Sequence, residues 1–539
     1  MELHFASVWE TIADLVGDRE AVVCGDTRRT WAEYDDRAAR IASALGAYGI
    51  GADSKVGIYL HNSTHYLEAQ YGIFKVRGVP VNVNYRYKAD ELIYLLDNAD
   101  AEAVFFQACY AARMWEIRDR LPKVKVYIQI DDGTESLLDR ALDFDKAIRD
   151  NKPAERIERS GDDIYMLYTG GTTGMPKGVM YQHRQFISAM MATVREMGLD
   201  VPESIADMSN VIERLKSTDG FPVSLSACPL MHGTGMWLGA MVPLLIGGSV
   251  VVTAKLGLDP HLIWSEVERN RCTSVTIVGD AFAKPMLDAL NEAAARNTPY
   301  DISSLTQIGS SGVMWSREVK EGLLAHHDMV LVDAMGSTEG GMGSSVATRE
   351  TSPQTAKFDI SPGTKVFADD GSEVEPGSGV SGKIATSGLV PIGYYKDPEK
   401  SAETFKEIDG VRYSFPGDYA TVEADGSITL LGRGSNCINT AGEKVYPEEV
   451  EEAVKRHPTV NDCLVVGLAD ERFGQRVVAV ASFNERQEVA EQELIDFTRD
   501  HLSGYKLPKQ ILFVEEVKRA LNGKADYKWA QRTAEEMLA

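Results

Sequence analysis

The residues best suited to chemistry stand together in Tyr168-Thr-Gly-Gly-Thr-Thr-Gly-Met-Pro-Lys-Gly178. Glycines without a Cβ and threonines with small hydroxyls expose many N–H and O–H donors, a composition that makes a nest for phosphate oxygens, and Lys177 adds a point charge. The pattern is not a Walker loop, in which Gly precedes the Lys and Ser or Thr follows it; here Pro176 precedes and Gly178 follows. An apolar run at 164–167 places the loop just after a buried strand, and a helical pattern begins near His183. Mere flexibility is a poor reason for eleven such residues at that place. Other candidates say less by themselves. Asp418 after Pro416-Gly417 reads as a turn residue and Lys524 after Asn522-Gly523 as a solvated charge, whereas His232 is open to both a site and a core reading. Asp280 reads as the N-cap of a helix over 281–290.

The elements that must position these residues follow from periodicity. Short apolar, β-branched runs at 56–60, 103–106, 124–130, 249–253, 274–278 and 329–332 alternate with amphipathic segments, which predicts parallel sheets covered by helices. From 363 to 431 short strands are separated by turns such as Asp369-Asp-Gly371 and Glu375-Pro-Gly377, the texture of a small antiparallel barrel or sheet. Beyond Gly432, a helix opened by Pro447, strands at 462–467 and 476–483, a helix at 491–501 and a strand at 510–514 make a separate α+β unit. The expected organisation is therefore an α/β chain. A large N-terminal domain of helix-covered sheets plus a small β-barrel spans 1–432, a hinge 433–436, and a small C-terminal α+β domain 437–539.

At 539 residues the chain is long enough for several cores, and its 44% hydrophobic and 25% charged composition is that of a folded globular protein. A net charge of −24 repels nucleic-acid backbones, so an anionic ligand needs a local site of the kind just described. Six dispersed cysteines without a CxxC pair fit a reducing cytoplasm, and the acidic N-terminus does not read as a secretion signal. The uncharged stretch 233–254 could span a bilayer by length, but Pro243 and Gly247-Gly248 break it into a buried helix over 237–246 and a buried strand.

The phosphate loop resembles that of the acyl-adenylate-forming superfamily, which includes acyl-CoA synthetases, peptide-synthetase adenylation domains and luciferases. Further segments look like its motifs at the expected separations. These are Met335-Gly-Ser-Thr-Glu339, Tyr413 to Tyr419, Gly432-Arg433, Thr440 to Glu451, and Asn522-Gly-Lys524. The resemblance covers essentially the whole chain. It is nearest in texture to actinobacterial long-chain and steroid side-chain acyl-CoA ligases, which share phrases such as Pro391-Ile-Gly-Tyr-Tyr-Lys-Asp397.

The resemblance implies an ATP-dependent acyl-CoA synthetase that forms an acyl-adenylate and then a CoA thioester. Loading of a separate carrier protein is the alternative, and a nucleotide sensor without catalysis is a third reading. It implies that Thr169, Gly170, Gly171, Thr172, Thr173, Gly174 and Lys177 hold the phosphates, that Thr338 contacts the α-phosphate and that Glu339 ligates Mg²⁺. Ser311, Gly312, Val313, Asp333, Ala334, Met335, Gly336 and Ser337 would line the adenine, with Met335 where relatives carry an aromatic; Asp418 and Arg433 would hold the ribose. Lys524, on a mobile C-terminal domain, would carry adenylation; Gly442, Glu443 and Lys444 would meet CoA. The acyl group would lie among His232, Gly235, Met236, Trp237, Gly279, Gly340 and Gly341, with His232 counted among the catalytic residues at the carboxylate entrance and the glycines leaving room for a medium-to-long or bulky acid. Homodimerisation is left open.

Overall fold

In the computed structural model, residues 2–538 are described except 170–174, 352–353, 441–442, 471–473, 485–488, 503 and 521–522; the side chains at 193, 196, 197, 435, 439, 443, 444 and 474 are also outside the description. The chain divides into two compact units, one comprising 1–341, 346–353 and 387–414, the other 342–345, 354–386 and 415–539. The segment 433–436 lies inside the second unit, where Gly434–Asn436 forms a single tight turn.

The first unit holds the expected parallel sheets. One has the order Val79–Asn82, Lys55–Tyr59, Ala101–Gln107, Val126–Ile130, Leu142–Asp143, all parallel. Another runs Glu20–Cys24, Ser249–Val252, Val223–Ser226, Ser274–Ile277, Gln307–Ser311, Val330–Ser337, also parallel, with Thr27–Thr30 antiparallel at its edge. Strands Lys55–Tyr59, Val79–Asn82 and Ser249–Val252 are buried at every position, which is why they read as continuous apolar runs.

The strand that precedes the phosphate loop belongs to neither sheet. Ile164–Thr169 pairs antiparallel with Lys177–Gln182, which pairs in turn with Gly393–Tyr394. The loop therefore closes a hairpin, and the second strand of that hairpin, unforeseen in the sequence, intervenes before the helix His183–Met190.

The uncharged stretch folds as expected into a helix, Thr234–Met241 continued by Val242–Leu245, and the strand Ser249–Val252. Its first part is the wide-turned form with i→i+5 hydrogen bonds, a rare form that is frequent at functional sites. Among the described residues no helix is long and apolar enough to cross a membrane.

In the second unit, Thr364–Phe367, Ser381–Thr386, Asp418–Val422, Ile428–Arg433 and Lys357–Ile360 pair antiparallel in that order. Val460–Asp470, Gly474–Phe483 and Gln510–Phe513 form the centre of a separate sheet. Alternation decides its cover, because successive strand residues face opposite sides. Val477, Ala479 and Ala481 pack with Val450, Val454 and Leu494, whereas Val478 and Val480 pack with Ala530 and Ala534. Helices Pro447–Lys455 and Glu491–Arg499 thus cover one face and Tyr527–Leu538 the other.

One acid under this cover titrates abnormally. Burial, reinforced by neighbouring Glu448, pushes the Glu451 carboxyl up to about 8, while its Oε1 accepts a 2.9 Å hydrogen bond from the Val465 N–H. The folded unit keeps a proton that the unfolded chain gives up above about pH 4.3, so stability falls as pH rises from there through about 8. Glu451→Gln removes this dependence. Its melting temperature relative to wild type should rise steadily between pH 5 and pH 8.5, and a constant difference would contradict the assignment.

Candidate functional site

In the first unit the hairpin brings Thr169 opposite Lys177 at the mouth of the loop; residues 170–174, expected to cradle phosphate, lie outside the described residues. Lys177 forms an ion pair with Asp397, and its Nζ stands 5.7 Å from the Tyr394 ring centroid. The Tyr394 hydroxyl donates to Glu339 Oε1 at 2.8 Å, and the Tyr181 hydroxyl donates to the Thr338 carbonyl at 2.8 Å. The Glu339 N–H donates to Ser337 Oγ at 3.1 Å. Lys177, Thr338 and Glu339 are thereby gathered around one three-stranded sheet. Tyr181, Tyr394 and Asp397 were not singled out as site residues from the sequence; the only signal for the latter two was their place in the quoted phrase ending at Asp397.

The residues expected to line the adenine converge as well. Ser311 sits beside Ala334 on neighbouring parallel strands, and Gly312 turns away with φ +93°. A side chain there would meet the Thr234 hydroxyl, which puts the start of the wide-turned helix against this edge. Asp333 does not face the same way as its neighbours' backbone edge suggests. Its carboxylate is buried 3.1 Å from Lys320 Nζ, and burial, acting against Lys320, pushes it up to about 6. It braces the strand from beneath, and Met335 is buried one turn of the pleat further on.

Around the expected acyl site, His232 and Trp237 are half-buried and Met236 is buried. The Trp237 indole donates to the Tyr165 hydroxyl at 2.8 Å and meets Phe186 edge-on. Gly235 is sterically required, since a Cβ would collide with the Pro229 carbonyl. Gly279, with φ +50°, lies against the Val313 and Met314 carbonyls and is equally irreplaceable. Gly340 has φ +155°, whereas a side chain on Gly341 would meet nothing within 4 Å. Gly343 instead packs against the Asp359 carbonyl, so its missing side chain serves strand pairing.

The Asp280 expectation is corrected. The helix spans Asp280–Ala295 and its cap is Gly279; the Asp280 carboxylate accepts from the Ser316 N–H at 3.0 Å and its own N–H donates to the Met314 carbonyl. Long-range partners, invisible to local pattern, begin the helix one residue early.

The segment 229–232 is fixed by two side-chain amides, Asn62 half-buried and Asn82 buried. Asn62 bridges the Cys228 carbonyl and the Leu230 N–H, and Asn82 bonds the Tyr168 N–H and the Tyr168 and Met231 carbonyls at 2.7–2.9 Å. Asn82→Ala strands three buried backbone groups. It should lower unfolding stability by about 3 kcal/mol, measured by denaturant melts, and a loss under about 1 kcal/mol would contradict this.

In the second unit, Asp418 and Arg433 are register partners on adjacent strands, with Arg433 Nε 3.4 Å from Asp418 Oδ1. Gly417, at φ +100°, makes the turn that the sequence attributed to Asp418, and Asp418 opens the strand. Lys524 is exposed on a hairpin in which Gly523 has φ +74° and the Ala520 N–H donates to the Lys524 carbonyl at 2.8 Å. Arg519, bridged to Ala525 at its base, grips Asp462 with two hydrogen bonds of 2.5 and 2.7 Å. Gly442 and Asn522 lie outside the described residues, as do the side chains of Glu443 and Lys444.

Among the described residues no three of His, Cys, Asp and Glu gather as an all-protein metal cage. A half-buried carboxylate such as Glu339, with one oxygen already oriented, fits instead a Mg²⁺ ion completed by substrate phosphates and water.

Residues 9–395 match the AMP-binding enzyme family and residues 449–524 the AMP-binding enzyme C-terminal domain. The chain is 39% identical over 540 residues to the 3-oxocholest-4-en-26-oate–CoA ligase of Rhodococcus rhodochrous, covering 98% of this chain and 96% of that protein. It is equally 39% identical over 542 residues to the medium/long-chain-fatty-acid–CoA/3-oxocholest-4-en-26-oate–CoA ligase of Mycobacterium tuberculosis, covering 99% and 96%. Its fold matches the anthranilate CoA ligase AuaEII in complex with anthranoyl-AMP, with TM-score 0.84, 22% identity and 100% and 98% of the two chains covered. ATP-bound MatB from Rhodopseudomonas palustris matches with TM-score 0.82 at 22% identity over the full length of both.

Proposed function

The chain belongs to the AMP-binding enzyme family and is an AMP-forming acyl-CoA ligase, and from that premise we propose that its acid is a medium- or long-chain fatty acid or a steroid side-chain acid. The observation that carries the acid is the 39% identity over nearly the whole chain to ligases named for both classes. The uncharged helix bearing Trp237 supports it.

Adenylation brings a carboxylate against the α-phosphorus of ATP, so the protein must gather two anions and neutralise charge as pyrophosphate departs. In this reading Thr169, Lys177 and the intervening loop residues hold the phosphates, and Thr338 touches the α-phosphate. Glu339 holds Mg²⁺, which would neutralise phosphate charge. Ser311 to Val313 and Ala334 to Ser337 enclose the adenine, and Asp418 accepts from the ribose hydroxyls with Arg433 beside it. Lys524 stabilises the charge that builds on the α-phosphate only in the transition state. It then withdraws by rotation about 433–436 while Gly442 to Lys444 receive the pantetheine thiol. No disulfide joins the described cysteines, which suits work in a reducing cytoplasm.

The test is a product assay. The protein should release AMP and pyrophosphate in an acid- and Mg²⁺-dependent way, and thioester should appear only when CoA is added. ADP and phosphate as products would refute the adenylate route, and acyl transfer to a carrier protein but not to CoA would move the acceptor.

A further inference from the structure

We propose that Gly393–Asp397 is a tether that fixes the phosphate lysine and the metal carboxylate in one frame, with Tyr394 and Asp397 as positioning residues for Glu339 and Lys177. The inference rests on the reading that Lys177 meets phosphate and Glu339 meets Mg²⁺. It adds residues that this reading does not use.

The tether is tied to the hairpin on both sides of Tyr394. Gly393 and Tyr394 pair with Met180 and Val179, the Ile392 N–H donates to the Met180 carbonyl, and the Tyr395 N–H donates to the Gly178 carbonyl, the last two at 2.8 Å. The Tyr394 ring is buried and lies 5.3 Å from that of Phe405, and its hydroxyl points toward Glu339 Oε1 at 2.8 Å. Three residues on, Asp397 caps the helix Pro398–Thr404 by accepting from the Lys400 N–H at 3.0 Å with one oxygen and holds Lys177 with the other.

Lysine and glutamate side chains are long and rotamer-rich, and each must be held still to grip the same polyphosphate. A donated hydrogen bond orients the carboxylate without cancelling its charge. An ammonium has three donors, so the one spent on Asp397 leaves two for phosphate. Neither Tyr394 nor Asp397 needs to touch the nucleotide.

The test is equilibrium binding of ATP by calorimetry, with and without Mg²⁺, on Tyr394→Phe and Asp397→Asn, beside Glu339→Gln and Lys177→Ala. Phenylalanine keeps the buried ring, and asparagine keeps the helix cap. Wild type should bind ATP more tightly with Mg²⁺. Tyr394→Phe should shrink that Mg²⁺-dependent gain by about tenfold while leaving metal-free binding unchanged, and Asp397→Asn should weaken binding by about tenfold with or without Mg²⁺. Thioester formation from supplied acyl-adenylate should be unaffected in both. Binding within about twofold of wild type in both, with the expected losses in Glu339→Gln and Lys177→Ala, would overturn the tether and leave the site reading standing. No loss in those two reference variants would overturn the site reading and the tether with it. A lowered melting temperature with unchanged binding would reduce Tyr394 and Asp397 to a structural part and refute the proposal.

Discussion

Lys524→Ala should lower acyl-adenylate formation by a factor on the order of 10²–10³, the loss expected when one preorganised charge is removed from a transition state. Acyl-adenylate supplied ready-made should still be converted to thioester by this variant at close to the wild-type rate. Lys524 is exposed, and the hairpin that carries it is closed by the Ala520 N–H and the Lys524 carbonyl, both backbone groups. Arg519 and Asp462, which anchor the hairpin, are untouched. Gly442 provides the opposite case, since a bulky side chain in the segment that would face the pantetheine blocks the thiol but not the phosphates. Gly442→Leu should therefore accumulate acyl-adenylate and stall. The two half-reactions are followed separately, by pyrophosphate release and by thioester formation from added adenylate, with circular dichroism to confirm folding. If both variants lose both half-reactions equally while folded, one fixed site serves both steps and the alternating C-terminal domain is wrong for this protein.

What the sequence revealed divides along the range of the interactions involved. Parallel strands buried on both faces leave continuous apolar runs, so the segments at 56–60, 103–106 and 274–278 were legible as the strands they are. The strands of the last sheet were legible although two of them pair antiparallel, because helices cover both of its faces, and Pro447 with the acids after it marks a helix start. The strand Lys177–Gln182 was missed because it is only partly buried and begins on a charge at the rim of the loop. Asp280 was misassigned because its partners, Ser316 and Met314, are remote in sequence. The same holds for the site. Residue types alone suggested a phosphate loop, whose residues 170–174 lie outside the described ones, but Lys524 and Asp418 read as an ordinary turn charge and turn residue until the whole set of motifs was considered together. The groups that hold the site residues in place, Asn82, Asp397, Tyr181 and Tyr394, leave almost no local signature, since hydrogen bonds between distant segments depend on the fold rather than on spacing.

Specificity should climb with acyl chain length. Each methylene moved from water into an apolar channel contributes about 0.8 kcal/mol, which is roughly a fourfold gain in kcat/KM per carbon. From acetate to octanoate that compounds to a factor on the order of 10³, before the channel is filled and the gain stops. The position of the stop should respond to Gly341. Gly341 is exposed two residues after Glu339 and a Cβ there meets no atom within 4 Å, so a side chain can be added at this position without a clash at its first carbon. Gly341→Phe should lower kcat/KM for dodecanoate or a steroid side-chain acid by at least about tenfold, because the lost burial of even two methylenes exceeds 1.4 kcal/mol. Activity with butyrate should be nearly unchanged, and pyrophosphate release with each acid measures both. Gly343 is the control, since its missing side chain answers to the Asp359 carbonyl, and Gly343→Ala should disturb folding rather than the length profile. A kcat/KM greatest for acetate or propionate would refute the acyl assignment. An unaltered length profile in a folded Gly341→Phe would place the channel elsewhere in the first unit.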